Sequence, residues 1–372
     1  MLRPSPKAFL VILQMQGNAR TFLEESFAEM TELVNSAAIK IVGSLQSNLP
    51  NPSPSHLVRE GKLQELASKA RAAGANVLYF NMNLTPVQAR NIEKDLKLKT
   101  VDRTGLILEI FAKRAQSSEG KLQVELARLN YLLPRIGGLG TILSRLGGGI
   151  GTRGPGEPEL EWDRRKIRRR IESIKDQLEK VKKHRRLLRD QRKKQQFLSI
   201  AIVGYTNAGK STLLNAMTGA KTFVADQLFA TLDPKTRIQT VNGRRDILFI
   251  DTVGFLRELP HSLVEAFHAT LEEVAAADLL IHVLDISSPH AAAFKLSVEK
   301  VLKEIHAGEK PVILALNKAD LLSEEERRRV QALWPEGILI SAKDGHGLHS
   351  LLVMIEKKEN KAAGASQKSG DA

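Results

Sequence analysis

The sequence predicts an α/β chain in three parts: a small parallel α/β domain, a long antiparallel helical hairpin, and a second α/β domain built around a glycine loop. Three observations predict it. Residues 8–102 alternate strand and helix patterns. From about Thr104 the pattern turns helical and basic, with apolar residues spaced three and four apart. After residue 196 the strand–helix rhythm returns around Gly204-Tyr205-Thr206-Asn207-Ala208-Gly209-Lys210-Ser211.

Composition sets the bounds. The 372 residues allow two or three domains, and 42% apolar content supports real cores. Cysteine is absent, which excludes disulfides, thiolate metal sites and thiol chemistry and fits a reducing cytosol. No apolar run approaches the ~20 residues of a membrane span. The apolar stretch 8–13 is too short and too quickly polar for a signal peptide and reads as a buried strand. A net charge of +14 calls for a polyanionic partner.

In the first part the expected strands are 8–14, 39–45, 76–80 and a short one at Thr100-Val101, and the expected helices are 21–37, 56–73 and 85–96. Prolines 50, 52 and 54 mark a loop, and Thr85-Pro86 supplies an N-cap with proline at the first helical position. His56 stands alone and reads as a surface or capping histidine.

Leu122, Leu126, Leu129 and Leu133 form one heptad seam. Ile167, Ile171, Ile174, Leu178, Val181 and Leu188 form a second, with Arg185 in one seam position. The two helices are expected to pack antiparallel, the second running from about 161 to 195 over roughly 50 Å. Between them, residues 134–158 form a glycine-rich loop whose Arg135, Arg145 and Arg153 suit RNA: guanidinium stacks on bases and pairs with phosphates. Residues 161–195 hold sixteen Lys/Arg against six Asp/Glu, so most of the net charge sits on this arm. Such a concentration reads as a nucleic-acid footprint, and the scarcity of aromatics beyond Tyr131 and Trp162 favours backbone contact to structured RNA.

In the third part, 197–203 is a strand, and a helix begins near Lys210 and continues through Thr212. The spacing G-x-x-x-x-G-K-S lets backbone N–H groups wrap a phosphate chain at a helix N-terminus. Gly204 and Gly209 make the turn, Lys210 meets the β- and γ-phosphates, and Ser211 ligates Mg²⁺. Further strands are expected at 236–241 and 246–251, joined by Asn242-Gly243, and at 279–285, 311–317 and 337–341. Helices are expected at 262–275, 291–306 and 324–333, with a last one from about 348 fading into a disordered tail. The expected domains are 1–103, 104–196, 197–360 and the tail 361–372.

The strand ends carry the rest of the site. Asp251 would hold Mg²⁺ and the Gly254 N–H would sense the γ-phosphate. Thr231 is the candidate switch threonine on Mg²⁺, with Thr222 and Thr236 as alternatives. In Asn317-Lys318-Ala319-Asp320 the Asp320 carboxylate accepts from guanine N1–H and the N2 amino group, donors that adenine lacks. The Lys318 stem lies along the base plane, Asn317 ties the loop to the phosphate turn, and the Ala342 N–H of Ser341-Ala342-Lys343 meets guanine O6. Phe255 stands where Ras-like enzymes carry a water-orienting glutamine. Asn207 is a candidate ligand for a monovalent cation, K⁺, that would do part of an arginine finger's work.

These motifs, with Ala230-Thr231-Leu232-Asp233-Pro234, resemble the Era/TrmE–Obg-like translation GTPases. Gly61-Lys62-Leu63-Gln64-Glu65-Leu66, Val101-Asp102-Arg103-Thr104 and the run 147–157 resemble the HflX subfamily over nearly the whole chain. The resemblance implies a P-loop GTPase domain using GTP/GDP and Mg²⁺. It also implies a cytoplasmic, monomeric factor that binds the ribosome through large-subunit rRNA, splits stalled or idle ribosomes, and is stimulated by them. It implies that the hairpin loop reaches toward the peptidyl transferase centre. A GTPase assisting large-subunit assembly, or binding other structured RNA, is the alternative.

Overall fold

The computed structural model describes residues 6–15, 22–136, 156–194, 197–219, 233, 235–241, 245–255 and 268–368. The chain divides into two compact units, Met1–Val181 with Pro260–Ala266, and Lys182–Leu259 with Phe267–Ala372. Thr222, Thr231, Asn242, Gly243 and loop residues 137–155, with Arg145 and Arg153, lie outside the described residues.

In the first unit, β1 (Lys7–Met15), β2 (Lys40–Leu49), β3 (Val77–Phe80) and β4 (Lys99–Val101) form a sheet in the order β2-β1-β3-β4. Every pairing is parallel. β1 is buried on both faces from Ala8 to Leu13, as a central parallel strand under helices must be. α1 (Phe22–Ser36), α2 (Glu60–Ala72) and α3 (Pro86–Leu96) connect the strands. Leu63, Leu66 and Ile92 pack with Phe9, Val11 and Leu13 in one core. α3 begins on a reciprocal cap: Thr85 Oγ1 accepts from Gln88 N–H and Gln88 Oε1 accepts from Thr85 N–H.

α2 starts four residues later than the apolar pattern suggests. Residues 53–57 instead close a turn through paired Ser53 and Leu57 backbone bonds. The prolines preceding that turn remove donors and disfavour helical backbone. His56 bonds Ser55 and Asp95 there, in keeping with its surface reading.

α4 (Arg103–Arg114) is amphipathic, with Leu106, Ile107, Ile110 and Phe111 fully buried. It packs on α1, β3 and β4, so the first sheet's packing runs past the boundary expected at 103. α5 (Ser118–Ile136) and α6 (Gly156–Lys194) then form the hairpin. Their seam buries Leu126, Ile171 and Ile174, with Leu122, Leu129, Leu133, Ile167 and Leu178 against them. Arg170 and Glu125 add a bidentate pair at 2.7 and 2.8 Å. At about 1.5 Å per residue, α6 is close to 60 Å long.

In the second unit, β5 (Leu198–Gly204), β6 (Lys235–Val241), β7 (Arg245–Asp251), β8 (Leu279–Asp285), β9 (Val312–Asn317) and β10 (Ile338–Leu339) run in the order β10-β9-β8-β5-β7-β6. Only the β6–β7 pair is antiparallel. α7 (Lys210–Thr218) and α11 (Leu348–Lys368) share one core with Ile200, Ile202 and Ile281. α8 (His268–Ala276) and α9 (Ala291–Glu304) pack with Ala201, Val203 and Leu280 in another, and α10 (Glu324–Leu333) sits over Leu314 and Leu316. Arg185, the polar intruder in the expected α6 seam, pairs with Glu272 of α8 at 3.0 Å. The tail expected to be disordered from 361 is helical to Lys368. Lys-Ala-Ala is good helix-forming sequence and no proline stops it.

Candidate functional site

The site lies outside the carboxyl ends of parallel strands, where open α/β sheets bind their ligands. β5 ends in Gly204, whose φ is +156°, and a Cβ there would fall 2.3 Å from Val283 O, so glycine is required. The loop to α7 then turns through Asn207 at φ +61° and Gly209 at φ +93°. Left-handed backbone at these positions turns successive N–H groups into a concave anion nest. Gly209 is required a second time by close approach, since a Cβ would meet Asn317 Nδ2 at 2.3 Å.

Lys210 is buried at the start of α7, and its ammonium donates to Tyr205 O at 2.7 Å. Burial pulls its pKa down to about 8, with Asp251 opposing the shift. A phosphate placed here would favour the charged form. Ser211 Oγ donates to Asp251 Oδ2 at 2.6 Å, so the two described residues expected to hold Mg²⁺ are in contact. The Thr206 hydroxyl is buried without a hydrogen-bond partner. An orphaned hydroxyl in the phosphate turn fits a ligand with acceptor oxygens. Among the described residues no cluster of three or more His, Cys, Asp or Glu could hold a metal by itself. One carboxylate and one hydroxyl suit Mg²⁺, which arrives largely coordinated by water and phosphate.

Gly254 completes the floor. A Cβ on it would lie 2.7 Å from Thr206 Cα and 2.9 Å from Lys210 Nζ. Phe255 pairs with the phosphate turn as if in a small sheet: its N–H donates to Gly204 O and its carbonyl accepts from Thr206 N–H. Its ring is 3% exposed and packs with Val274 and Leu280. The residue in the glutamine position is thus a core anchor. Thr236 sits within β6 opposite Ile250.

At the base end, Asn317 joins three segments. Its Nδ2 donates to Ala208 O at 2.8 Å, and its Oδ1 accepts from Ala342 N–H at 2.9 Å. The first bond is the expected tie to the phosphate turn. The second corrects an expectation: the Ala342 N–H is engaged by Asn317 rather than left open for guanine O6. Lys318 takes left-handed backbone, φ +66°, and its ammonium pairs with Asp285 at 2.7 Å, a partner the motif spacing did not reveal. The Asp320 carboxylate is half-buried and makes no hydrogen bond or ion pair among the described residues. Such a poised acceptor suits a ligand bearing paired donors. Ser341 is buried and accepts from Asp344 N–H, while Lys343 is exposed. Thr212 follows Ser211 in the first turn of α7. Tyr205 stacks on Phe294 of α9 with ring centroids 4.0 Å apart.

In the first unit, Arg135 differs from its expected part as an RNA contact. Its guanidinium donates to Asp102 Oδ2 at 2.8 Å, to Leu84 O and to Tyr131 O, and lies 3.6 Å over the Tyr131 ring. It clamps the end of α5. By contrast, most Lys and Arg side chains of α6 between Arg164 and Arg186 are exposed, as is Trp162 at 59%.

Three family models match the chain: GTP-binding GTPase N-terminal over residues 24–112, GTP-binding GTPase Middle Region over 114–192, and 50S ribosome-binding GTPase over 199–318. GTPase HflX of Caldanaerobacter subterraneus is 51% identical over 339 residues, 90% of this chain and 77% of that protein. GTPase HflX of Escherichia coli is 44% identical over 336 residues, 90% of this chain and 79% of that protein. A crystal structure of SsGBP in complex with GDP aligns over 96% of this chain and 99% of that one, with 28% identity and a TM-score of 0.51. The phosphate turn, the Ser211–Asp251 contact and the Asn317 junction therefore stand in a chain that belongs to the HflX family of GTPases, which bind GTP and hydrolyse it to GDP and phosphate.

Proposed function

We propose that this GTPase binds the large ribosomal subunit through rRNA, dissociates stalled or idle ribosomes, and is stimulated by the ribosome. The observation that carries the reading is the charge on α6, where sixteen Lys/Arg face six Asp/Glu over residues 161–195. Long basic helices of this kind neutralise phosphate backbones. The description of the third family model, 50S ribosome-binding GTPase, supports the choice of partner.

In this reading the phosphate turn 204–209 cradles the phosphates, and Lys210 neutralises the β- and γ-oxygens. Ser211, Asp251 and Thr231 would hold Mg²⁺, which would supply charge neutralisation of the phosphates. The Gly254 N–H senses the γ-phosphate, and Asp320 reads guanine. Phe255 orients no water; Asn207, exposed at the turn, would hold K⁺, whose charge would do part of an arginine finger's work. Equal hydrolysis rates in potassium and sodium buffers would remove that role. GTP orders the switch segments and stabilises the ribosome-bound shape; hydrolysis releases it. Sedimentation of intact ribosomes with the protein and a non-hydrolysable GTP analogue tests the proposal. Joined ribosomes should shift to free subunits, whereas binding without a shift would favour an assembly role.

A further inference from the structure

The Lys318–Asp285 pair is built with more care than a surface ion pair. Asp285 ends β8 directly opposite Asn317 at the end of β9, and the Ile286 N–H donates to Asn317 O at 3.1 Å. One carboxylate oxygen, Oδ1, accepts from Ser287 N–H at 3.0 Å and from Ser287 Oγ at 2.6 Å. The other, Oδ2, takes the Lys318 ammonium. The side chains are 18% and 26% exposed, so the pair is largely shielded from solvent. The carboxylate is thus held on one side by a serine turn and aimed on the other at a single lysine. Lys318 also adopts left-handed backbone, which glycine or asparagine would take more cheaply. A lysine at that position is worth its strain only for its side chain.

We propose that Asp285 is a positioning residue for guanine recognition. It acts through Lys318 and is itself aimed by Ser287. Anchoring the ammonium fixes the four-carbon stem before the nucleotide arrives, so a rotamer-rich side chain is already ordered when the base docks against it. The inference rests on the reading of 317–320 as the base loop, which Asp320→Asn tests separately.

The test is a double-mutant cycle on GDP affinity, measured by calorimetry on the nucleotide-free full chain. Asp285→Asn keeps the Oδ1 acceptor for Ser287 and replaces Oδ2 with an amide that cannot accept from an ammonium. It should weaken GDP binding by about tenfold in the parent background, the scale of one immobilised side chain. In a Lys318→Ala background it should change affinity by less than about twofold, because the residue it acts through is gone. A merely structural weakening by Asp285→Asn would persist in the Lys318→Ala background, so the disappearance of the effect there is the readout that separates positioning from stability. Equal weakening in both backgrounds, or none in either, overturns the proposal. A Lys318→Ala protein that binds GDP like the parent overturns it too. Asp320→Asn then locates the fault: undiminished GDP binding would show that the loop does not read the base, and weakened binding would leave only the part given to Asp285 in error.

Discussion

Single atoms decide most of the nucleotide site. A methyl group on Gly254 would meet Thr206 Cα at 2.7 Å and crowd the Lys210 ammonium. Gly254→Ala should therefore cut GTP hydrolysis by at least about tenfold while the base end, built from other strands, keeps its guanine preference. Single-turnover hydrolysis and GDP titration on the same preparation check it. Asp320 offers an unengaged carboxylate, and an amide there presents a donor where guanine also presents one. Asp320→Asn should lower GTP affinity by roughly a hundredfold and raise preference for xanthine nucleotides. GTP affinity equal to the parent's would remove Asp320 from base recognition. Spacing alone located Lys210, Ser211, Asp251 and Asn317, because each motif is a local string at a strand end. Asp285 was not legible, because its tie to Lys318 joins two strand ends 33 positions apart and no short pattern records it.

Among the elements, the α5–α6 hairpin is the clearest case of apolar periodicity giving a contact. Its seam was legible through Leu122 to Leu133 and Ile167 to Leu178, since helical spacing alone puts those residues on one stripe. The partner of Arg185 was not, because its tie to Glu272 joins residues 87 positions apart and no short pattern records it. Ile174 is fully buried in the seam, so Ile174→Ala should cost about 2–4 kcal/mol of stability, read by denaturant unfolding. The junction of α4 and α5 is held by polar groups instead. Asp102 accepts from Gly105 N–H, Leu84 N–H, Tyr131 OH and Arg135 at 2.8 to 3.1 Å, within a residue that is 2% exposed. Removing that acceptor leaves a half-buried guanidinium, 20% exposed, without its counter-charge. Asp102→Ala should destabilise the first unit by about 3–5 kcal/mol. Arginine in a glycine-rich neighbourhood reads naturally as an RNA contact, and only the fold shows that Arg135 faces a buried carboxylate.

At the scale of the whole molecule, one buried group ties stability to pH. His282 of β8 is 2% exposed and its Nε2 has no hydrogen-bond partner. It lines a pocket of about 500 Å³ with Lys295, Glu299 and Leu302. Burial pushes its pKa down to about 4 from the usual 6.5, with Glu299 opposing and Lys295 adding to the shift. Above pH 6.5 the folded and unfolded chains both carry it neutral. Between 6.5 and 4 the unfolded chain takes the proton first, so stability falls with pH by up to about 3 kcal/mol, and His282→Leu should flatten that part of the profile.

The same scale carries the functional account, in which nucleotide state in the second unit governs a basic arm. The arm's charge was legible from composition; the order of strands in each sheet was not, since composition and periodicity do not encode neighbours. If the arm binds rRNA, affinity for the large subunit should fall steeply as salt rises from 50 to 200 mM, by an order of magnitude or more. The most direct measurement remains a sucrose-gradient profile of intact ribosomes incubated with the protein and a non-hydrolysable GTP analogue. The account predicts loss of the joined-ribosome peak, growth of both subunit peaks, and protein travelling with the large subunit. An unchanged joined-ribosome peak, with the protein at the top of the gradient, would contradict it.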